Sequence, residues 1–252
     1  GQVLISGDLF ALVEGQVVVD DLGKRAMKGK SLPQQIYALR DVHNHISRFE
    51  VAISRGLSTF VDREEELETL KTLFASAKHG VVTAANVRGE PGIGKSRLLY
   101  EFEAMIPKDH LRILKGDCRA DGETTPFLPF ADLMRNLFDI DHQDSAAQTE
   151  AKIAAQLRNK TTAKDRTVPY LMTLLGKSNT SNAHQGESAD MVGARTRQAV
   201  VDVIADLCQE NTVLLILEDL HWADPGSIQI IEMLLEHSDE MSLMILCTSR
   251  PV

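Results

Sequence analysis

The sequence predicts an α/β fold, a mostly parallel sheet covered by helices on both faces, with a short α+β remnant at the N-terminus. Three observations carry that prediction. Short apolar runs at Val81 to Val87, Val213 to Leu217 and Met241 to Cys247 alternate with longer stretches of helical period. The last two runs are apolar throughout, as strands buried on both faces are. A glycine-rich turn also sits directly between the first run and the next helical stretch.

The elements follow in order. Val3-Leu4-Ile5 reads as a strand, Ser6 as a helix N-cap and Asp8 to Val13 as a short helix. Gln16 to Asp20 and Gln34 to Leu39 are β-like, with Lys28 to Pro33 a loop between them. Residues 1–40 hold too little apolar material to fold alone and read as the last strands of a larger domain. Residues 41–57 show no period and read as a linker. From Glu64 to Ala77, Leu67, Leu70, Leu73 and Phe74 recur at helical spacing. Ser96 to Met105 reads as a helix, Arg112 to Gly116 as a strand, and 126–140 and 147–158 as helices. Residues 176–190, rich in Ser, Asn and Gly, read as a mobile loop. Met191 to Cys208 and Gly226 to His237 read as helices.

Composition narrows the function classes. In 252 residues, 36 acidic against 27 basic side chains give a net charge of −9, which disfavours a protein that coats nucleic acid. With 43% hydrophobic and 25% charged residues, the chain has globular rather than disordered composition. No apolar run reaches the roughly 18–20 residues of a membrane helix, and the first residues have no basic n-region. Cys118, Cys208 and Cys247 are scattered and odd in number, as befits reduced thiols in a cytoplasmic protein. Beginning without Met and stopping after a strand-like run, the chain reads as a piece of something longer.

The strongest chemical signal is Gly89-Glu90-Pro91-Gly92-Ile93-Gly94-Lys95-Ser96. It fits G-x-x-x-x-G-K-[ST] at every required position, after a strand and before a helix. Polyphosphate needs donors on all sides, so glycines let consecutive N–H groups turn inward while the helix adds its positive end. Lys95 would reach the β- and γ-phosphates of a triphosphate, and the Ser96 hydroxyl would ligate Mg²⁺. A second signal is Val213-Leu214-Leu215-Ile216-Leu217-Glu218-Asp219, a buried strand delivering two carboxylates at its C-terminal end. One would serve the Mg²⁺ shell, Asp219 the first candidate and Glu218 the second, and the other the attacking water; which does which stays open. A third is Thr248-Ser249-Arg250, where Arg250 either contacts the γ-phosphate or is solvated.

Other candidates fall away. Asp224, just before Pro225, fits a helix cap, and Trp222 fits packing. His43 and His45 lack companion ligands for a metal, and Cys118 fits a structural thiol.

These motifs resemble a known arrangement. Phe60-Val61-Asp62-Arg63-Glu64 looks like the F-V-G-R-E opening motif of STAND-type, AAA-like P-loop ATPases. With Gly89–Ser96, Leu217-Glu218-Asp219-Leu220-His221-Trp222-Ala223-Asp224 and Thr248-Ser249-Arg250, the resemblance covers residues 58–252. It implies a P-loop NTPase fold, an opening motif packed by adenine, strand-end acids serving Mg²⁺ and water, and an Arg250 that senses the γ-phosphate. Asp62 replaces the usual glycine. The Glu-Asp order is that of the E-D-L-H-W-A-D subgroup this chain resembles.

Residues 1–40 are similar to the C-terminal end of a class III adenylate/guanylate cyclase domain, through Val3-Leu4-Ile5-Ser6, Leu12-Val13-Glu14-Gly15, Asp21-Leu22-Gly23, Met27-Lys28-Gly29-Lys30 and Ile36-Tyr37-Ala38-Leu39. The cyclase metal ligands would lie upstream, so this piece is not expected to make cyclic nucleotide.

The expectation is an ATP-binding, slowly hydrolysing switch module, residues 58–252, joined by the 41–57 linker to a cyclase-homology tail in a cytoplasmic signalling protein. Its cofactors would be ATP and Mg²⁺. Its partners would be ATP or ADP, the cyclase body and C-terminal domains of the same chain and a second copy, with neither membrane nor nucleic acid. A nucleotide-binding module without turnover, and the ATPase domain of a transcriptional regulator, are the alternatives.

Overall fold

A computed structural model describes residues 2–14, 17–27, 29–30, 32–42, 60–120, 125–157, 164–178, 186–236 and 241–251. The chain divides into two compact units, Gly1–Asp62 and Arg63–Val252.

In the first unit, β1 (Val3–Ser6), β2 (Val17–Arg25) and β3 (Gln34–Val42) form an antiparallel sheet in the order β1-β3-β2. Helix α1 (Gly7–Val13) starts where expected, because the Leu9 N–H donates to the Ser6 hydroxyl at 3.3 Å. Phe10 stacks on Tyr37 with ring centroids 4.3 Å apart, holding α1 to β3. Both β2 and β3 outrun their apolar segments. Their ladder continues through Asp20 and Asp21 and absorbs register shifts at Val18/Val19 and Asp21/Lys24, so main-chain pairing sets their length. Asp41 and Val42, expected in the linker, close β3; residues 43–57 of the expected linker lie outside the described residues.

In the second unit, β4 (Thr83–Arg88), β5 (Leu111–Asp117), β6 (Thr212–Glu218) and β7 (Leu243–Ser249) form a wholly parallel sheet in the order β4-β7-β6-β5. Helices α2 (Glu64–Lys78) and α3 (Lys95–Met105) cover one face through Leu67, Leu70, Phe74, Leu98 and Phe102; the Phe74 and Phe102 rings meet edge-on at 6.1 Å. The other face is covered by α4 (Leu128–Leu137), α5 (Ala146–Gln156), α6 (Lys164–Leu174), α7 (Ala189–Cys208) and α8 (Pro225–Glu236). There Leu215, Leu217 and Ile245 join Phe130, Ile153, Leu171, Ile204 and Ile230 in one core. This is the α/β arrangement expected of a P-loop NTPase.

Burial on both faces holds for β6 and β7 alone. Strands β4 and β5 lie at the sheet margins, and β4 alternates half-buried with exposed side chains. Helix α6 escapes a reading by pattern because Pro169 lies inside it. A proline removes one helical hydrogen bond, but burial of Val168, Leu171 and Met172 offsets that loss. The loop expected at 176–190 is shorter, since Ser188 caps α7 and Ala189 already belongs to it. Residues 179–185 of that loop lie outside the described residues.

Asp224 does cap α8 and does more besides. Only 4% exposed, it accepts from the Gly226 and Ser227 N–H groups (3.0 and 3.1 Å), from the Ser227 hydroxyl, and from the Phe127 N–H ahead of α4 at 3.1 Å. The Phe127 ring lies so close that a Cβ on residue 226 would sit 2.4 Å from it, so glycine is required there. One carboxylate thus ties the β5–α4 connection to the β6–α8 connection. Asp224→Ala is expected to lose about 3 kcal/mol of unfolding free energy in urea, and Asp224→Asn, which keeps one acceptor, about half as much. Equal stability of all three proteins would refute the bridging role.

Candidate functional site

The loop Gly89–Ser96 runs from the end of β4 into α3. Gly92 and Gly94 have φ of 81° and 95°, in the left-handed region where a side chain is strained, and Gly94 is the N-cap of α3. A Cβ at Gly89 would stand 2.9 Å from the Ile93 side chain. The Gly89 N–H donates to the Ser249 carbonyl at 3.1 Å, anchoring the loop to the end of β7. Glu90, Pro91, Gly92 and Ile93 are exposed. Lys95 folds its ammonium over the loop, donating to the Gly89 and Glu90 carbonyls at 2.7 and 3.1 Å. With the positive end of α3 beside it, the loop is a cationic nest.

Strand β7 separates β4 from β6, yet the two meet at their ends: the Ser96 hydroxyl donates to Glu218 Oε2 at 2.5 Å. Burial raises the Glu218 carboxyl above its ordinary range, the Ser96 hydrogen bond opposes this, and the Asp117 and Asp219 charges push it further up. Asp219 turns the chain with φ 53° and ψ 44°. Its N–H donates to the Thr248 hydroxyl at 2.9 Å, and its carboxylate is 46% exposed. That carboxylate lies 3.9 Å from His221, whose buried ring nitrogens have no hydrogen-bond partner among the described residues. The Ser249 hydroxyl donates to Asn86 on β4 at 3.1 Å, and Arg250 follows, exposed.

Gly89–Ser96, Glu218, Asp219, Thr248 and Ser249 therefore share one end of the sheet. The Arg250 backbone lies there too, with its side chain turned to solvent. Asp62 has φ 58°, a left-handed position of the kind glycine usually fills and aspartate tolerates. Cys118, Cys208 and Cys247 are buried and in no disulfide; burial pushes the Cys118 thiol up to about 12 and Cys247 to about 11, as inert structural cysteines require.

Two features escaped the sequence reading. Asp117, at the end of β5, is the register partner of Glu218. The rule that flagged Glu218, an acid at the C-terminal end of a parallel strand, applies to Asp117 as well. Beside the loop lies a cavity of about 310 Å³, walled by Arg63, Glu66, Asn86, Gly94 and Leu98. The Arg63–Glu66 ion pair at 2.5 Å forms its rim.

Among the described residues no group of three or more His, Cys, Asp or Glu could cage a metal alone. The donor set at Ser96 and Glu218 is a hydroxyl and a carboxylate, hard oxygens that fit Mg²⁺, which takes few protein ligands and keeps phosphate and water.

A carboxyl that holds its proton more tightly in the folded chain weakens the fold as pH rises. For Glu218 the loss begins near the ordinary glutamate value of 4.5 and is complete above the raised one. Glu218→Gln keeps an acceptor for Ser96 without the charge. It is expected to raise the melting temperature at about pH 7.5, with the gain vanishing by about pH 4. A variant that melts below the natural chain at the higher pH would contradict this.

Comparison with known proteins agrees with the geometry. An uncharacterized protein of Rhizobium meliloti (strain 1021) is 25% identical over 232 residues, which are 91% of this chain and 22% of that protein. The chain thus spans about a fifth of the length of the curated relative it matches. No helix among the described residues is long and apolar enough to cross a membrane. The sequence profile described as AAA ATPase domain matches residues 59–246, which take in the phosphate loop and the strand-end acids, and the chain belongs to that family of nucleotide-binding domains.

Proposed function

We propose that residues 58–252 bind Mg·ATP and hydrolyse it slowly, as the switch module of a longer signalling protein. The single observation that carries this reading is the Ser96–Glu218 hydrogen bond. It pairs the hydroxyl at the helix start with the acid of β6, the two groups best suited to hold Mg²⁺, which when bound neutralises phosphate charge. Asp219 is left for the water: half-buried, and fixed by Thr248 through its own N–H, it orients the nucleophile and takes its proton. Lys95 exchanges its two carbonyl partners for phosphate oxygens, a stronger charge-assisted pairing. Arg250, free to swing at the end of β7, reads the γ-phosphate. The cavity rimmed by Arg63 and Glu66 takes the base.

In this reading the parent is a STAND-type protein carrying a class III cyclase domain, on the similarity of residues 1–40 and 58–252 to those families. ATP use and buried free thiols suit the cytoplasm.

Lys95→Ala is expected to abolish ATP binding in calorimetry. Asp219→Asn should bind ATP within a few-fold of the natural chain but release phosphate about 100-fold more slowly. Equal phosphate release from the two would leave a nucleotide-binding module without turnover, and ATP binding unchanged by Lys95→Ala would remove the reading altogether.

A further inference from the structure

Asp117 and Glu218 are partners at the last positions of the parallel strands β5 and β6, and such partners project from the same face. That face is the one α3 covers. Lys115, two residues before Asp117, bonds Glu103 of α3 at 2.8 Å, and Glu218 accepts from Ser96 at the start of the same helix. The pairing extends beyond Asp117, since the Cys118 N–H donates to the Glu218 carbonyl at 3.0 Å. Asp117 is exposed at this end of the sheet. Its charge is felt at Glu218, where it opposes loss of the proton.

Asp117 thus shares a face and a register position with Glu218, which the Ser96 hydroxyl bonds. A magnesium ion gives up its waters reluctantly, so one held by a hydroxyl, one carboxylate and phosphate keeps several. Each retained water presents hydrogens that need acceptors, and groups that supply them fix the ion almost as firmly as the ligands do.

We propose that Asp117 accepts hydrogen bonds from water held by magnesium at Ser96 and Glu218, a positioning residue for the metal that is not itself a ligand. This rests on the Mg·ATP reading above. Two consequences have opposite signs. Without metal, the Asp117 charge repels the triphosphate; with metal, it strengthens binding. Neutralising it should therefore weaken the help that magnesium gives while leaving metal-free ATP binding equal or tighter.

The test is calorimetric titration of the 252-residue chain with ATP, in EDTA and in excess magnesium. The readout is the factor by which magnesium tightens binding, which needs no turnover. In Asp117→Asn that factor is expected to fall about tenfold, with EDTA affinity unchanged or improved, and Asp117→Glu should recover most of it. Asp117→Ser serves as a second variant should the first fail to fold, with thermal melting as the check. An unchanged factor in Asp117→Asn, while Ser96→Ala lowers it, overturns this inference and leaves the nucleotide reading standing. No magnesium effect in the natural chain overturns both.

Discussion

The hydrogen bond from the Ser96 hydroxyl to the Glu218 carboxylate joins two chain segments that the strand order would otherwise hold apart. Strand β7 lies between β4 and β6, so the phosphate loop and the acid strand are never hydrogen-bonded neighbours. They meet because α3 starts at the end of β4 and leans across β7, setting its first turn over the end of β6. That placement depends in turn on the core beneath α3, where Leu98, Leu99 and Phe102 are buried. Burial of these apolar residues decides where the helix lies, and the helix start brings the Ser96 hydroxyl to Glu218.

The end of β7 serves as the common anchor. The Ser249 carbonyl takes the Gly89 N–H, its hydroxyl reaches Asn86, and the Thr248 hydroxyl takes the Asp219 N–H. Thr248 and Ser249, which make these contacts, are themselves buried.

Much of this was legible in the residues. The phosphate loop could be read because main-chain binding of phosphate demands glycine at fixed positions, and the central strands because burial on both faces leaves an unbroken apolar run. What stayed hidden was hidden for physical reasons. Strand β7 comes last in sequence yet inserts in the middle of the sheet, and no local pattern encodes that order. Helix α6 was masked by Pro169, whose local penalty is outweighed by tertiary burial. The extra length of β2 and β3 comes from ladder bonds through polar residues. Asp117 has the composition of any solvated strand end; only its register with Glu218 sets it apart.

The left-handed turn at Asp219 bears on why the acids stand in this order. Left-handed backbone is tolerated by short polar residues such as aspartate and asparagine and disfavoured for longer side chains. Exchanging the pair to Asp-Glu would put the longer acid at the turn and the shorter one opposite Ser96, straining the first position and opening a gap at the second. The two carboxylates are interchangeable in charge but not in shape.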